Sequence, residues 1–322
     1  MTGPRHIPVM CSEVVAAAQP ADGALLVDAT FGAGGYTVAL LTAAECRVIG
    51  LDRDPSAITE GQELVDAYAG RLILQQGCFG NLEAHLETLG IGGIDGLVLD
   101  LGVSSMQLDR AERGFAFQQD GPLDMRMGSS DETAADVVNT YDEAKLADIV
   151  FHLGEEPKAR RVARALVERR AERPFSRTLD LAAVVVEAVG HGMTARKRHP
   201  ATRTFQALRL HVNRELEELD RVLVAAEQRL KPGGRLVVVS FHSLEDRRVK
   251  RFLAARAGRT PAPSRHRPVA EHGPAPSFRL PSSGAVKPGQ EEITANPRAR
   301  SARLRLGIRT DAPAWSTQKE TR

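Results

Sequence analysis

Residues 25–54 read LLVDATFGAGGYTVALLTAAECRVIGLDRD, and they decide the fold. An apolar run, residues 24–27, ends in Asp28. A glycine cluster follows at Gly32, Gly34 and Gly35. Val38, Leu41 and Ala44 then take helical spacing, and a second apolar run, residues 48–51, ends in Asp52. The order is strand, tight loop, helix, strand, the first half of a nucleotide-binding α/β sheet. Glycines between strand and helix let a ligand approach the backbone closely, and a helix start offers free N–H groups. An acid closing the second strand suits a ribose hydroxyl pair.

Three ligands use such a site: NAD, FAD and S-adenosylmethionine (SAM). The dinucleotide pattern G-x-G-x-x-G breaks at Thr37, and Asp28 stands before the glycines. An acid there suits the cationic end of SAM better than a pyrophosphate. A glycine turn serving some other ligand is the alternative.

Working outward, residues 6–18 predict an amphipathic helix ahead of the sheet. A helix is expected over 56–69, with Asp54 or Ser56 as cap and Pro55 near its start. Strands are expected over 71–74 and 94–101, the latter holding Asp100. Strand follows helix, so the sheet should be parallel. From 109 to 203 the pattern stops and helices take over. One is expected over 157–172, with Arg160, Arg161 and Arg164 on its polar side, and one near 179–189, before Arg196-Lys197-Arg198-His199-Pro200 breaks the chain. A long helix then runs from Thr202 to Pro232 on an unbroken stripe from Leu208 to Leu230. Residues 235–241 make a buried fifth strand. Residues 261–288 hold seven of the 18 prolines and read as loop or disorder. Residues 303–309 alternate basic with apolar and suit a closing antiparallel strand. The expected division is a core of 1–108 and 204–322, with a Pro-rich basic loop at about 255–290, around a helical insert of 109–203 that is well placed to select a second substrate.

Composition narrows the class. The chain has 322 residues, 42% of them apolar, enough for one large or two ordinary domains. No apolar run is long enough for a membrane span, and the first residues lack the apolar region of a signal peptide. The three cysteines have no metal-ligand spacing, so no metal site is read and a reducing cytoplasm is expected. Net charge is +2, but residues 247–310 carry 15 Lys/Arg against three acids, while residues 1–246 carry −10. A basic segment on an acidic body fits a polyanionic partner, and equally a solvated tail.

The remaining polar blocks are DLGVSSMQLD from Asp100, RGFAFQQDGPLDMRM up to Met127, and SFHSLEDRRVK from Ser240. Together with HIPVM, TFGAGGYT, LDRDP, HPATRTFQALRLHVNREL and NPRARSARLR, these resemble the bacterial small-subunit rRNA cytosine-N4 methyltransferases, in order, from His6 to about Arg309. The resemblance implies a class I SAM-dependent methyltransferase (α/β, Rossmann-like, mostly parallel sheet) with a helical insert domain, acting on a cytosine in the decoding region of 16S rRNA. Position by position, it implies SAM contacts at Gly34, Gly35, Tyr36, Asp52, Phe79, Asp100 and Gln107. Tyr36 stands where the family often has His, and Met106 where it often has Pro.

The exocyclic amine of cytosine is a poor nucleophile, since its lone pair is delocalised into the ring. An acceptor on its N–H would help. DNA amino-methyltransferases use a D/N/S-P-P-Y/F block after strand four, and this chain has Asp100-Leu-Gly-Val-Ser-Ser instead. Asp100, Asp124 and His242 are therefore the catalytic candidates, with Ser104 behind them. Bland readings stand beside each: Asp100 could cap a helix, Asp124 could pair with Arg126, and His242 could fill the end of strand five. A SAM enzyme acting on DNA or a small molecule, or an RNA-binding protein that merely kept the fold, would compete. The sequence leaves the oligomeric state open, a homodimer being one option.

Overall fold

The computed structural model describes residues 8–128, 132–190, 199–259 and 274–315. The chain forms two compact units, Met1–Gly102 with Glu217–Arg322, and Val103–Leu216.

The first unit is built on a seven-stranded sheet: β1 (Leu25–Asp28), β2 (Arg47–Asp52), β3 (Leu72–Gln76), β4 (Ile94–Asp100), β5 (Leu230–Ser240), β6 (Phe278–Arg279) and β7 (Arg303–Arg309). The order is β3-β2-β1-β4-β5-β7-β6. The first five strands are parallel, and β7 runs antiparallel to both β5 and β6. Alternate strand residues face opposite sides, and here both sides are covered. Val27, Leu51, Leu97, Leu99 and Leu236 pack with Leu219, Val222 and Leu223 on one side. Leu26, Val48, Val98, Val237 and Val239 pack with Val14, Leu40 and Leu41 on the other. This explains why the strands read as continuous apolar runs. It also leaves the carboxyl ends of β1, β2 and β4 as the place where Asp28, Asp52 and Asp100 emerge.

Several elements differ from the sequence expectation. The first helix is only Cys11–Ala18. His6 lies outside the described residues, and Met10 sits ahead of the helix in the left-handed region at φ 54, its N–H donating to Glu292 Oε1 at 2.6 Å. The helix expected over 56–69 is two, Pro55–Glu60 and Gln62–Ala67, interrupted at Gly61; Asp54 does cap the first, accepting from Ser56 N. The Pro-rich stretch holds the short edge strand β6 in its described part, while residues 261–273 lie outside the described residues. Phe278 anchors that strand, 1% exposed, and burying a phenylalanine contributes about 1.5–3 kcal/mol. One buried aromatic residue overrides a composition that otherwise reads as loop.

The second unit is helical around its own core, with Val137, Leu146, Val150, Val162, Leu166, Phe175, Leu181, Val185 and Leu208 at its centre. Its helices include Ala134–Thr140, Glu143–His152, Ala159–Glu172, Thr178–Val189 and Thr202–Val212. The expected long helix from Thr202 breaks after Val212, and a second one runs Glu215–Arg229. The break is held by Asn213. Its amide donates to Met125 O (2.7 Å) and Arg209 O (2.9 Å), and its carbonyl accepts from Met127 N (2.8 Å). Arg214 then takes φ 49. A side chain that bonds the backbone competes with helix continuation, and apolar periodicity does not see it.

Candidate active site

The site is built from the ends of β1, β2 and β4. After β1 the chain turns through Gly32 and Gly34, both left-handed (φ 53 and 76), and the helix Gly35–Ala43 begins. At Gly34 a side chain would be strained, and its Cβ would stand 2.5 Å from Leu64 Cδ1. Phe31, 2% exposed, underpins this loop. Gly35 faces Pro8, whose Cγ would lie 2.9 Å from an added Cβ. The PVM segment of residues 8–10 therefore runs against the glycine loop, a placement no periodicity in the sequence signals.

Asp28 is fully buried. It accepts from Thr37 Oγ1 at 2.8 Å and Thr30 N at 3.2 Å. Burial pushes its carboxyl up to about 6, against those hydrogen bonds. Asp52 accepts from Gly32 N and Asp54 N, both at 2.8 Å. It thereby ties the glycine loop to the end of β2, and burial raises its pKa also. Asp100 is held through its backbone, its N–H donating to Thr30 Oγ1 at 2.6 Å. Its Oδ1 is enclosed and has no hydrogen-bond partner. Burial drives the Asp100 pKa well above the usual carboxylate range, with the Asp28 and Glu245 charges adding to it and the nearby Tyr36 hydroxyl opposing. Tyr36 is itself buried, and its hydroxyl donates to the Val9 carbonyl.

The structure thus groups Gly34, Gly35, Tyr36, Asp52 and Asp100, with Asp28 and the unforeseen Thr30 and Thr37. Phe79 follows β3 at the same sheet edge, opening a short turn of 3-10 helix, with Gly80 N donating to buried Glu218 (2.8 Å). Gln107 belongs to the second unit. There it closes a capping box, its Oε1 accepting from Ser104 N (3.1 Å) while its own N–H donates to Ser104 Oγ (3.2 Å). Ser104 is thus engaged as the cap of that helix.

The two other catalytic candidates have defined partners. Asp124, in the second unit, takes Arg126 in a fork, with Nε on Oδ1 and Nη2 on Oδ2, both 2.8 Å, and it also accepts Arg126 N at 2.9 Å. Burial raises the Asp124 pKa, but the Arg126 hydrogen bonds and charge outweigh it and hold the carboxyl below its usual range. His242 is the cap of the helix Ser243–Arg256, its Nδ1 facing Glu245 N at 3.5 Å. Glu245, 2% exposed, returns the contact by accepting Phe241 N (3.0 Å) and His242 N (3.3 Å). It also places Oε1 3.1 Å from His242 Nε2. The spacing of a capping box was readable in His242-Ser-Leu-Glu245, but a histidine is an unusual cap.

A cluster of buried acids is costly unless something cationic faces it. The unpartnered Asp100 Oδ1, the neighbouring Asp28 and the backbone-tethered Asp52 fit a ligand with a positive centre and a ribose. SAM carries both, through its sulfonium and α-ammonium groups and its ribose hydroxyls. A pyrophosphate would add negative charge to this edge. Fold and site define a class I methyltransferase of the Rossmann-like kind, with SAM as its cofactor.

The chain belongs to the MraW methylase family, whose model matches residues 3–309. It is 58% identical to a ribosomal RNA small subunit methyltransferase H of Hyphomonas neptunium, over 97% of this chain and 90% of the relative. It is 56% identical to one of Rhodospirillum rubrum, over 97% and 96%. A Caulobacter sp. relative of the same description is 55% identical, over 98% and 96%.

Proposed function

We propose that the chain transfers the methyl group of SAM to the N4 amine of a cytosine in the decoding region of 16S rRNA. The observation that carries the cofactor half is the enclosed, unpartnered Asp100 Oδ1 beside Asp28; family membership carries the rRNA half. SAM supplies an electrophilic methyl on a cationic sulfur. Asp52, the loop Gly34–Gly35 and Tyr36, Phe79, Asp100 and Gln107 are the residues assigned to hold it. A cation seated against Asp100 offsets the burial penalty and favours the ionised carboxylate.

Most of the rate should come from holding amine and methyl in line. Asp124 is ionised at neutral pH and half-exposed, so its oxygens can accept an amine N–H. His242 and Asp100 are the other groups assigned to orient the base or take its proton. RNA loops and ends let a base leave its stack at low cost. The helical second unit is assigned recognition of the surrounding rRNA. Its helix Ala159–Glu172 presents exposed Arg160, Arg161 and Arg164, the last 3.7 Å from Glu143. Among the described residues no helix is long and apolar enough to cross a membrane; the cytoplasm, where the small subunit resides, is the compartment this reading implies.

The test is tritiated-methyl transfer from SAM to 30S subunits and to naked 16S rRNA, with the modified nucleoside identified. N4-methylcytidine in 16S rRNA is expected. Label in another nucleoside, or none in RNA, would overturn the reading.

A further inference from the structure

Much of the basic charge of residues 247–310 is consumed within the first unit. Arg309 donates to four backbone carbonyls, those of Glu227, Ser277, Thr310 and Ala312. Arg305 forks onto Asp246 (2.6 and 3.1 Å), with Arg303 3.8 Å from the same acid. Arg256 pairs with buried Glu227, and Arg248 with Asp220.

What remains is organised differently. The helix Ser243–Arg256 starts at the carboxyl end of β5, where the reacting edge of the sheet lies. Lys250 and Arg251 follow each other on one exposed face of it. At Lys250, about 10 Å along the helix from Ser243, that face meets a cleft of about 90 Å³. Its lining includes Lys250, Arg259, Ser282, Ser283 and Arg305. Among the described residues neither Lys250 nor Arg259 forms an ion pair, and Arg259 has one carbonyl contact, Leu280 O at 3.4 Å. Asp246, the acid paired with the lining residue Arg305, is also met by Arg303. Beside Leu253, Ala254, Leu280 and Leu306, the lining offers two cations without an ion pair, the Ser283 hydroxyl and no carboxylate, and this polar part makes a site for an anionic oxygen group. Its position on a basic helix face leading away from the sheet's carboxyl edge suits a chain of such groups.

We propose that this cleft and the Lys250–Arg251 face bind the phosphodiester backbone of the rRNA strand that flanks the target nucleotide. The inference rests on rRNA being the substrate. Lys250 and Arg259 hold one phosphate in the cleft, with Ser283 as a hydroxyl donor, and the helix face tracks the strand towards the β5 end. Contacts of this kind position the strand and carry no sequence information.

The experiment is direct binding of a 16S rRNA fragment and of 30S subunits to the full chain and to Lys250→Glu/Arg259→Glu, over a salt series. SAM affinity, thermal melting and methyl transfer are measured beside it. The variant should bind RNA at least tenfold more weakly. Its log-log salt slope should be shallower by about 0.7–0.9, the loss of one phosphate contact, with SAM affinity and melting unmoved. The neutral Lys250→Gln/Arg259→Gln should fall between the two. Unchanged RNA affinity and slope in a folded variant would overturn the proposal, as would displacement of RNA by micromolar inorganic phosphate, which would mark a free-phosphate subsite. Because binding is read apart from methylation, a wild-type chain that binds through these residues but methylates no cytosine would sink the proposed reaction and leave this inference standing.

Discussion

Asp100 in the first unit and Asp124 in the second each sit in a polar block just beyond an apolar segment, yet their surroundings set them to opposite states. Asp100 is enclosed, has an oxygen without a partner, and is driven towards its neutral form by burial and by neighbouring acids. Asp124 is met by an arginine fork and a backbone N–H, and it stays ionised below the usual range. The first arrangement stores an unfavourable interaction that a cationic ligand relieves. The second is satisfied before any ligand arrives, so it offers a fixed acceptor. An acidic residue type says little; what faces the carboxylate decides whether it binds a cation or presents a stable charge.

The comparison breaks most visibly at Asp124. If it orients the cytosine amine, Asp124→Ala should lower single-turnover methylation by roughly tenfold to a thousandfold with SAM affinity intact. Arg126→Ala should produce a smaller loss of the same kind by loosening the carboxylate. Parallel loss of melting temperature and SAM affinity would reduce the pair to a structural tie.

Asp28 tests the buried side. Its pKa in the fold is about 6 against an ordinary 3.8, so the folded state holds its proton longer than the unfolded chain does. That group therefore costs stability as pH rises from about 4 to about 6, by about 3 kcal/mol, and nothing further above. Urea titrations at pH 4.5 and 7 should show most of this drop in the wild type and much less in Asp28→Asn. The same ionisation should strengthen SAM binding as pH passes 6. Identical pH dependence in both proteins would remove Asp28 from this account.

At the end of β2, Asp52→Ala should weaken SAM binding by about 1–3 kcal/mol, the cost of losing a charged partner to hydroxyls. Part of the loss would come through Gly32 N and Asp54 N, which Asp52 also holds. Calorimetry that finds unchanged affinity takes Asp52 out of the site.

The smallest effect separates capping from chemistry. His242→Ala should cost about 1 kcal/mol of stability by exposing the start of the helix Ser243–Arg256, and His242→Asn, a good cap, should restore it. If turnover returns with the cap, His242 is a positioning residue for that helix. A tenfold deficit persisting in a fully stable His242→Asn keeps the imidazole in the reaction.

The division between the two levels of information follows from range. Strand runs, the glycine loop and the acids closing β1, β2 and β4 are local patterns, and local sterics and burial write them into the chain. The parallel order of the first five strands, and β7 closing beside β5, follow from those patterns and short connections. Features that depend on distant partners were not legible. The break at Asn213 is set by the carbonyl of Met125, 88 positions earlier. The strand β6 exists because Phe278 finds a buried place beside β7 inside a proline-rich stretch. The segment 8–10 lies against the glycine loop through Pro8, Val9 and Met10, held by Tyr36 and by Glu292, 282 positions from Met10. The basic segment shows the same limit: its charge was countable in the sequence, but only tertiary pairing with Asp220, Glu227 and Asp246 decided which cations are spent inside the fold and which still face a partner. Charge and hydropathy are properties of residues, whereas desolvation and partnership are properties of places, and places exist only once the chain has folded.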